Sequence, residues 1–216
     1  MTIVVAIDGP AGSGKGTIAR NISKKYDFPH LDSGSLYRGV AASVLEIGKK
    51  KIDEKIALEV AKNLIPQAID EKKIRNREVD EAASIVSSIS GVRQSLKKLQ
   101  RDFKKINEKK NGIVVDGRDI GTVIFPNAEI KLFVTASLDE RASRRHNEFI
   151  EKELKIDKKL IIKELQKRDQ RDKERSIAPL KIAKGALILD TSNMSIDRVM
   201  EKVCLEIDKV IENLRK

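Results

Sequence analysis

The chain has 216 residues, 40% hydrophobic and 36% charged, with a single cysteine, Cys204. That suits one globular domain with at most a small insert; it excludes a disordered chain, a disulfide framework and a membrane span, and it points to the cytoplasm. Basic residues exceed acidic ones by 44 − 33 = 11, which favours anionic partners, but the lysines alternate with glutamates as on solvated helix faces, and 3% aromatics leave no stacking platform for single-stranded nucleic acid.

Residues 3–7 are β-branched and apolar and end at Asp8-Gly9-Pro10, the pattern of a buried strand and a turn. A helix is expected over 15–26 through Ile18, Ala19 and Ile22, then a strand over 28–31. Residues 33–47 read as a helix with Gly48 at its C-terminal end, and 52–64 as another. Residues 66–75 break the pattern as a small polar excursion. Helices are expected over 79–89 and 92–106, with Gly91 at the break between them.

Strands follow over 113–116 and 130–135. Ser137 is placed to cap a helix running to about residue 154. A strongly charged helix starts at Ile156-Asp157 and ends before Pro179. Residues 186–189 form a fifth strand. In the last helix Ile196, Val199, Met200, Val203, Ile207, Val210, Ile211 and Leu214 make one apolar stripe bordered by Cys204, which reads as a core thiol. Five short apolar strands separated by helices indicate an α/β fold with a parallel sheet. Ligands of such sheets bind beyond the carboxyl ends of the strands, where 9–17, 32–38 and 116–119 fall.

Gly9-Pro10-Ala11-Gly12-Ser13-Gly14-Lys15-Gly16-Thr17 has the G-x-x-x-x-G-K spacing between a strand and a helix. Backbone N–H groups turned inward hold phosphate oxygens there, the helix adds its positive end, and Lys15 supplies a mobile charge for the β- and γ-phosphates. Gly16 stands where Ser or Thr commonly meets magnesium, so Mg²⁺ is expected to be held through phosphates and water. Asp32-Ser33-Gly34-Ser35-Leu36-Tyr37-Arg38 opens a helix at which Ser33 and Arg38 can take a second anion; a capped helix with a surface arginine is the plainer alternative. Asp116 ends the third strand, and Arg118 and Asp119 emerge after it, over the site or in a structural salt bridge. Arg168, Asp172 and Arg175 share one helix face, with Arg171 to one side and Arg141, Arg144 and Arg145 on the preceding helix. His30 and His146 read as incidental.

Four motifs in register resemble the bacterial cytidylate kinases: Asp8-Gly9-Pro10 leading into the glycine loop, residues 32–38, Gly117-Arg118-Asp119-Ile120-Gly121-Thr122, and Arg168-Asp169-Gln170-Arg171-Asp172-Lys173-Glu174-Arg175. The resemblance covers nearly the whole chain. It implies a P-loop kinase fold in one domain, transfer of the ATP γ-phosphoryl group to CMP or dCMP in the cytoplasm, and a monomer with no nucleic-acid or membrane partner. It also implies that Ser33, Arg38 and Arg118 hold the acceptor phosphate, that Ser84, Arg93 and Asp119 read cytosine with Arg175 nearby, and that Arg168 and Asp172 face the sugar. Lys15, Arg118, Arg168 and Arg171 then carry the catalytic charge, the last two on a lid spanning about 138–178. The β-rich insert of the family has only 65–75 available here, so a reduced flap is expected. Another small P-loop kinase, for adenylate or shikimate, and a non-catalytic nucleotide or nucleic-acid binder are the competing readings.

Overall fold

The computed structural model describes residues 2–48, 52–151 and 153–215. Five strands, β1 (Ile3–Asp8), β2 (His30–Asp32), β3 (Gly112–Gly117), β4 (Ile130–Thr135) and β5 (Leu187–Asp190), form one sheet in the order β2-β3-β1-β4-β5. Every pairing is parallel. The second strand starts two residues later than its sequence pattern suggests, because Phe28 is buried against Tyr26 as a packing residue outside the ladder.

Strand alternation divides the core between the two faces of the sheet. Ile3, Val5 and Ile7 face α1 (Lys15–Tyr26) and α8 (Ile196–Arg215), meeting Ile18, Ile22, Val199, Val203 and Ile207. Val4 and Ala6 face the other way, toward Ile120 and Ile124 of a short π-helical turn after β3. The stripe of α8 is only partly used: Ile196 and Leu214 at its ends are exposed, because the helix outruns the sheet it covers. Cys204 is buried, as its place beside the stripe suggests.

A second, wholly helical core lies beside the sheet. It joins α2 (Ser33–Glu46), α3 (Glu54–Lys62), α4 (Arg77–Val86) and α5 (Ser90–Ile106) through Leu36, Val40, Ala57, Val79, Val86, Val92 and Leu96. Gly91 is not the break between α4 and α5: it lies in the first turn of α5, and 87–89 make the turn. Residues 63–76 contain one 3₁₀ turn, Pro66–Ala68, and no strand. This excursion folds back on α2, since Ile74 is buried in the helical core and Ile69 packs against Gly39. A third, small core joins α6 (Leu138–Glu151) and α7 (Lys158–Glu174) through Ala142, Phe149, Ile161 and Leu165, with Ala11 of the glycine loop.

The register brings Asp8 beside Gly117 and Asp116 beside both Ile7 and Asp32, so three carboxylates end neighbouring strands on one edge. Asp8 is buried and accepts hydrogen bonds from the backbone N–H of Ile120 (2.7 Å) and Gly121 (2.8 Å). Burial raises its carboxyl to about 6 against those two donors. This side chain therefore fixes the loop that carries Asp119 to the strand that carries the glycine loop. Asp8→Ala leaves two buried donors without a partner and is expected to cost about 2–5 kcal/mol. Asp8→Asn keeps one acceptor and should lose less. Chemical denaturation of the three proteins checks this; equal stability would mean that water replaces the carboxylate without loss.

Candidate active site

The carboxyl edge of the sheet opens into a cavity of about 270 Å³. The glycine loop supplies one wall. Gly9 is required by close approach, because a Cβ there would collide with the carbonyl oxygen of Val134; Gly14 starts α1 at φ 88°, in the left-handed region. Ala11, Gly12, Gly14, Lys15, Gly16 and Thr17 line the cavity, whereas Gly9, Pro10 and Ser13 do not. Ser13 is fully buried and its hydroxyl has no partner.

The loop is held from behind by α6. Arg141 donates to the carbonyl of Ala11 (3.1 Å) and forms a buried two-pronged pair with Asp169 of α7 (3.1 and 2.6 Å). Arg144 donates to the carbonyl of Ser13 (3.4 Å) and to Thr191. These two arginines are thus spent on backbone carbonyls and a neighbouring helix, and do not face the cavity as free cations. Arg145 alone of the three α6 arginines lines the cavity.

Lys15 donates to the carbonyl of Pro10 at 3.2 Å. Withdrawal from water, helped by Arg118, lowers its amine from 10.5 to about 7. The residue keeps some exposure, so the desolvation acts on the amine deep in the cavity more than on the stem.

The opposing chemistry comes from α2, β3, α5 and α7. Asp32 caps α2 by accepting from the N–H of Gly34 (2.9 Å), and Ser33 is buried in its first turn. Burial raises the Asp32 carboxyl, but Arg38, Lys15 and Arg75 outweigh it and hold it below its ordinary value. Arg38 donates from Nε to Asp80 at 2.8 Å, and Arg118 donates from Nε to Asp172 at 2.8 Å. Each guanidinium is gripped by its inner edge. Arg93 and Asp119, both buried, form an ion pair at 2.5 Å, with Arg175 3.8 Å from the other Asp119 oxygen. The Arg93 guanidinium also lies 5.5 Å over the ring of Tyr37.

Arg168, Asp172 and Arg175 line the cavity together, as their shared helix face suggests, and Arg171, read as lying to one side, lines it as well. The Nε atoms of Arg168 and Arg171 and Nη2 of Arg175 are buried without a hydrogen-bond partner. Burial and the nearby Arg118 lower Arg168 to about 10, which leaves it a cation at neutral pH. Unpartnered buried donors are rare in folded chains; here they are open valences for an anion. Ser84 differs from its neighbours. It is buried in α4 with an unpartnered hydroxyl, but Ala83 and Ser87, not Ser84, line the cavity.

Sequence reasoning missed four participants. Asp80 binds Arg38, Arg145 and Arg168; burial raises its carboxyl, yet the arginines outweigh it and hold it at about 2. Its signal was an acidic residue on a buried helix face between Val79 and Ala83. Asp8 stood in plain view at the end of an apolar strand. Tyr37 lay inside a motif already singled out. His30, taken as incidental, bonds Asp116 at 2.8 Å, a pairing across two strands that no local pattern announces.

The model of the cytidylate kinase family matches residues 5–209. The chain belongs to that family. A cytidylate kinase of Methylocella silvestris is 40% identical over 213 residues, covering 99% of this chain and 97% of its own. One of Bartonella bacilliformis is 44% identical over 209 residues, covering 97% and 96%. Among solved structures, an uncharacterized protein from Eubacterium ventriosum superposes with a TM-score of 0.57 at 17% identity, covering 96% of this chain and 99% of that one. TT1252 from Thermus thermophilus gives 0.52 at 17%, covering 99% and 98%. These two bear on the fold alone, a parallel α/β sheet flanked by helices.

Among the described residues no helix is long and apolar enough to cross a membrane.

Lys15 generates a test within this kinase family's reaction. At pH 8 an amine with a pKa of about 7 is mostly neutral, and a triphosphate restores its proton. ATP binding should then take up close to one proton, about 0.9 at that pH, read by calorimetry in buffers of different ionisation heat. Lys15→Ala should abolish the uptake and lower turnover by at least about 10²–10³-fold, the cost of losing one preorganised charge. Near-normal turnover by the folded variant would remove Lys15 from the chemistry.

Proposed function

We infer that the chain transfers the γ-phosphoryl group of ATP to CMP or dCMP, releasing ADP and CDP or dCDP. The observation that carries the choice of acceptor is the buried Arg93–Asp119 pair with Arg175 beside it. Cytosine offers an amino donor at N4 and acceptors at N3 and O2. A carboxylate accepts from the first and a guanidinium donates to the others. Uracil turns a carbonyl toward the carboxylate, acceptor to acceptor.

The phosphates are received by groups that already point inward. The glycine loop from Gly9 to Thr17 and the start of α1 receive the ATP phosphates, with Lys15 on the β- and γ-groups. Ser33, Arg38 and Arg118 hold the acceptor phosphate. The grip on Arg38 through Nε supports this, because it leaves both outer nitrogens for oxygen atoms, and Arg118, held through Nε and by Nη1 to the Gly117 carbonyl, keeps Nη2 for the same use. Arg168 and Arg171 add charge where the phosphoryl group passes, and Arg168 with Asp172 reaches the ribose side. Phosphoryl transfer depends on positioning and charge stabilisation, so neither a nucleophilic side chain nor a strong base is needed. The acceptor is a phosphate monoester, largely ionised near neutrality.

The residues fit a magnesium ion carried in with the nucleotide. A Cβ on Gly16 would sit 4.0 Å from Oδ2 of Asp116, so the carboxylate comes close to the glycine loop with only hydrogen in between. Asp116 and Asp32, aligned across β2 and β3, would hold the ion's water, and Thr17 offers a hydroxyl. When bound, the ion neutralises charge between the β- and γ-phosphates.

The α6–α7 unit, which has its own small core and contributes Arg145, Arg168, Arg171 and Arg175 to the cavity wall, is the part that moves, as a lid over 138–178. The excursion over 65–75 takes the place of a larger acceptor flap, and Arg75, which lines the cavity, is its contribution. Hydrogen exchange across 138–175 should slow when ATP and CMP are bound together, more than with either alone. Unchanged exchange at saturation would show that this unit does not close.

Release of ADP measured with CMP, dCMP, UMP and AMP tests the acceptor. CMP and dCMP should be used well and AMP poorly; preference for AMP would overturn the reading in favour of another small kinase. Asp119→Asn can donate as well as accept at the base. It should lower kcat/KM for CMP and narrow the CMP/UMP ratio by about 5- to 150-fold, the worth of one base-edge contact. An unchanged ratio would take Asp119 out of base recognition.

A further inference from the structure

We propose that Asp80 is a positioning residue that yokes the acceptor-side Arg38 to Arg145 and Arg168 of the lid, and so sets the spacing between the two halves of the closed site. Its carboxylate stands on α4 in the cavity wall and is nearly buried. Oδ1 accepts from Nε of Arg38 at 2.8 Å and lies 3.7 Å from Nη1 of Arg168; Oδ2 accepts from Nη2 of Arg145. Those guanidiniums belong to α2, α7 and α6, so one carboxylate on α4 ties α2 to the consecutive helices α6 and α7 far along the chain.

A plain structural role explains this poorly. An ion cluster withdrawn from water is a costly way to gain stability compared with apolar packing, and α4 is already capped by Asn76, whose side chain accepts from the N–H of Val79 at 2.9 Å. The geometry is also selective. Asp80 takes Arg38 by Nε, and among the described residues no hydrogen bond uses Nη1 or Nη2 of Arg38; the nearest second carboxylate, Asp32, is 3.8 Å away. Asp172 likewise takes Arg118 by Nε, although Nη1 of Arg118 also donates to the Gly117 carbonyl at 3.2 Å. Both phosphate-facing arginines are thus aimed by carboxylates behind them.

The other links between α4 and the lid are weak substitutes. Arg77–Glu164 and Lys167–Glu81 are exposed pairs, open to screening by salt. Glu148 also holds Arg145 at 3.1 Å, but it lies on the same helix and ties α6 to nothing else. Removal of the Asp80 charge would leave Arg38, Arg145 and Arg168 facing one another, with Arg118 close behind, and like charges in a partly dry cavity move apart. A displacement near 1 Å between acceptor and lid is enough to cost roughly a hundredfold in rate.

The inference rests on the cytidylate kinase reading, and the experiment separates the two. Steady-state kinetics with ATP and CMP are compared for the parent, Asp80→Asn, Asp80→Glu and Arg145→Gln. Asp80→Asn should lower kcat by roughly 10- to 100-fold, with KM for ATP within about threefold of the parent, and Asp80→Glu should recover a substantial part of the loss by restoring charge. Arg145→Gln cuts the same link from a partly exposed position and should lower kcat by about fivefold. The double variant should lose no more than the worse single one, because both act through one contact.

Unchanged kcat in Asp80→Asn and Arg145→Gln overturns the proposal. So does a lowered KM for CMP at unchanged kcat, which would make Asp80 only a competitor for the phosphate site. If Asp80→Asn does not fold, Asp80→Glu and Arg145→Gln decide. A parent that does not phosphorylate CMP overturns the function instead. The yoke is then judged by hydrogen exchange in the ligand-free proteins, where Arg145→Gln and Asp80→Asn must speed exchange across 138–151 and 158–174, and unchanged exchange overturns it.

Discussion

The site is governed by the repulsion of its own cations. Lys15, Arg38, Arg93, Arg118, Arg168, Arg171 and Arg175 all line one cavity, where like charges about 4 Å apart repel by about 4 kcal/mol at an effective dielectric of 20. Such a set is stable without substrate only if carboxylates are interleaved with it. Asp32, Asp80, Asp119 and Asp172 do this, each placed against a particular arginine. The consequences appear as displaced ionisations: burial and Arg118 depress both Lys15 and Arg168, while arginines overcome burial to keep Asp80 and Asp172 ionised. Phosphate groups of two nucleotides would complete the neutralisation that the protein leaves unfinished at the Nε atoms of Arg168 and Arg171.

This arrangement explains why so many arginines yield few free ones. Arg141 and Arg144 are bound to carbonyls of the glycine loop, so α6 itself braces that loop. The P-loop is therefore supported by long-range contacts from α6 and from Thr191 after β5, as well as by its glycines. A movement of α6 and α7 would be felt directly at the loop, through Ala11, which packs in the small α6–α7 core.

The sheet supplies the rigid reference. Its two inner strands β1 and β3 are buried along their whole length, β1 lies in the middle, and the ends of β1, β2 and β3 set three carboxylates in register. Asp8 adds a cross-link from the loop that carries Asp119 to the strand that starts the glycine loop. The large cores beneath the sheet and among α2–α5 hold this frame, while α6 and α7 share a smaller apolar cluster of their own. The buried apolar area is therefore concentrated away from α6 and α7.

Much of this was legible in the sequence, because it is written in local spacing. Alternating and 3.6-residue apolar patterns placed five strands and the main helices, and the run from Gly9 to Thr17 declares its phosphate chemistry through the backbone it permits. The shared helix face of Arg168, Asp172 and Arg175 follows from their spacing alone. Pairings between distant segments were not legible. Asp80 with Arg38, Arg145 and Arg168, Asp8 with the amides of Ile120 and Gly121, His30 with Asp116, and Arg141 with Asp169 each join residues far apart in the chain. Ser84, a site residue by the resemblance, is buried with an unpartnered hydroxyl between Ala83 and Ser87 of the cavity lining, a placement that only the packing of α4 decides. The sequence by itself determined which chemistry could occur, through the types and local spacing of its residues. The tertiary structure decided which arginines are free to perform it, since a guanidinium's partner is chosen by distances across the fold that no local pattern encodes.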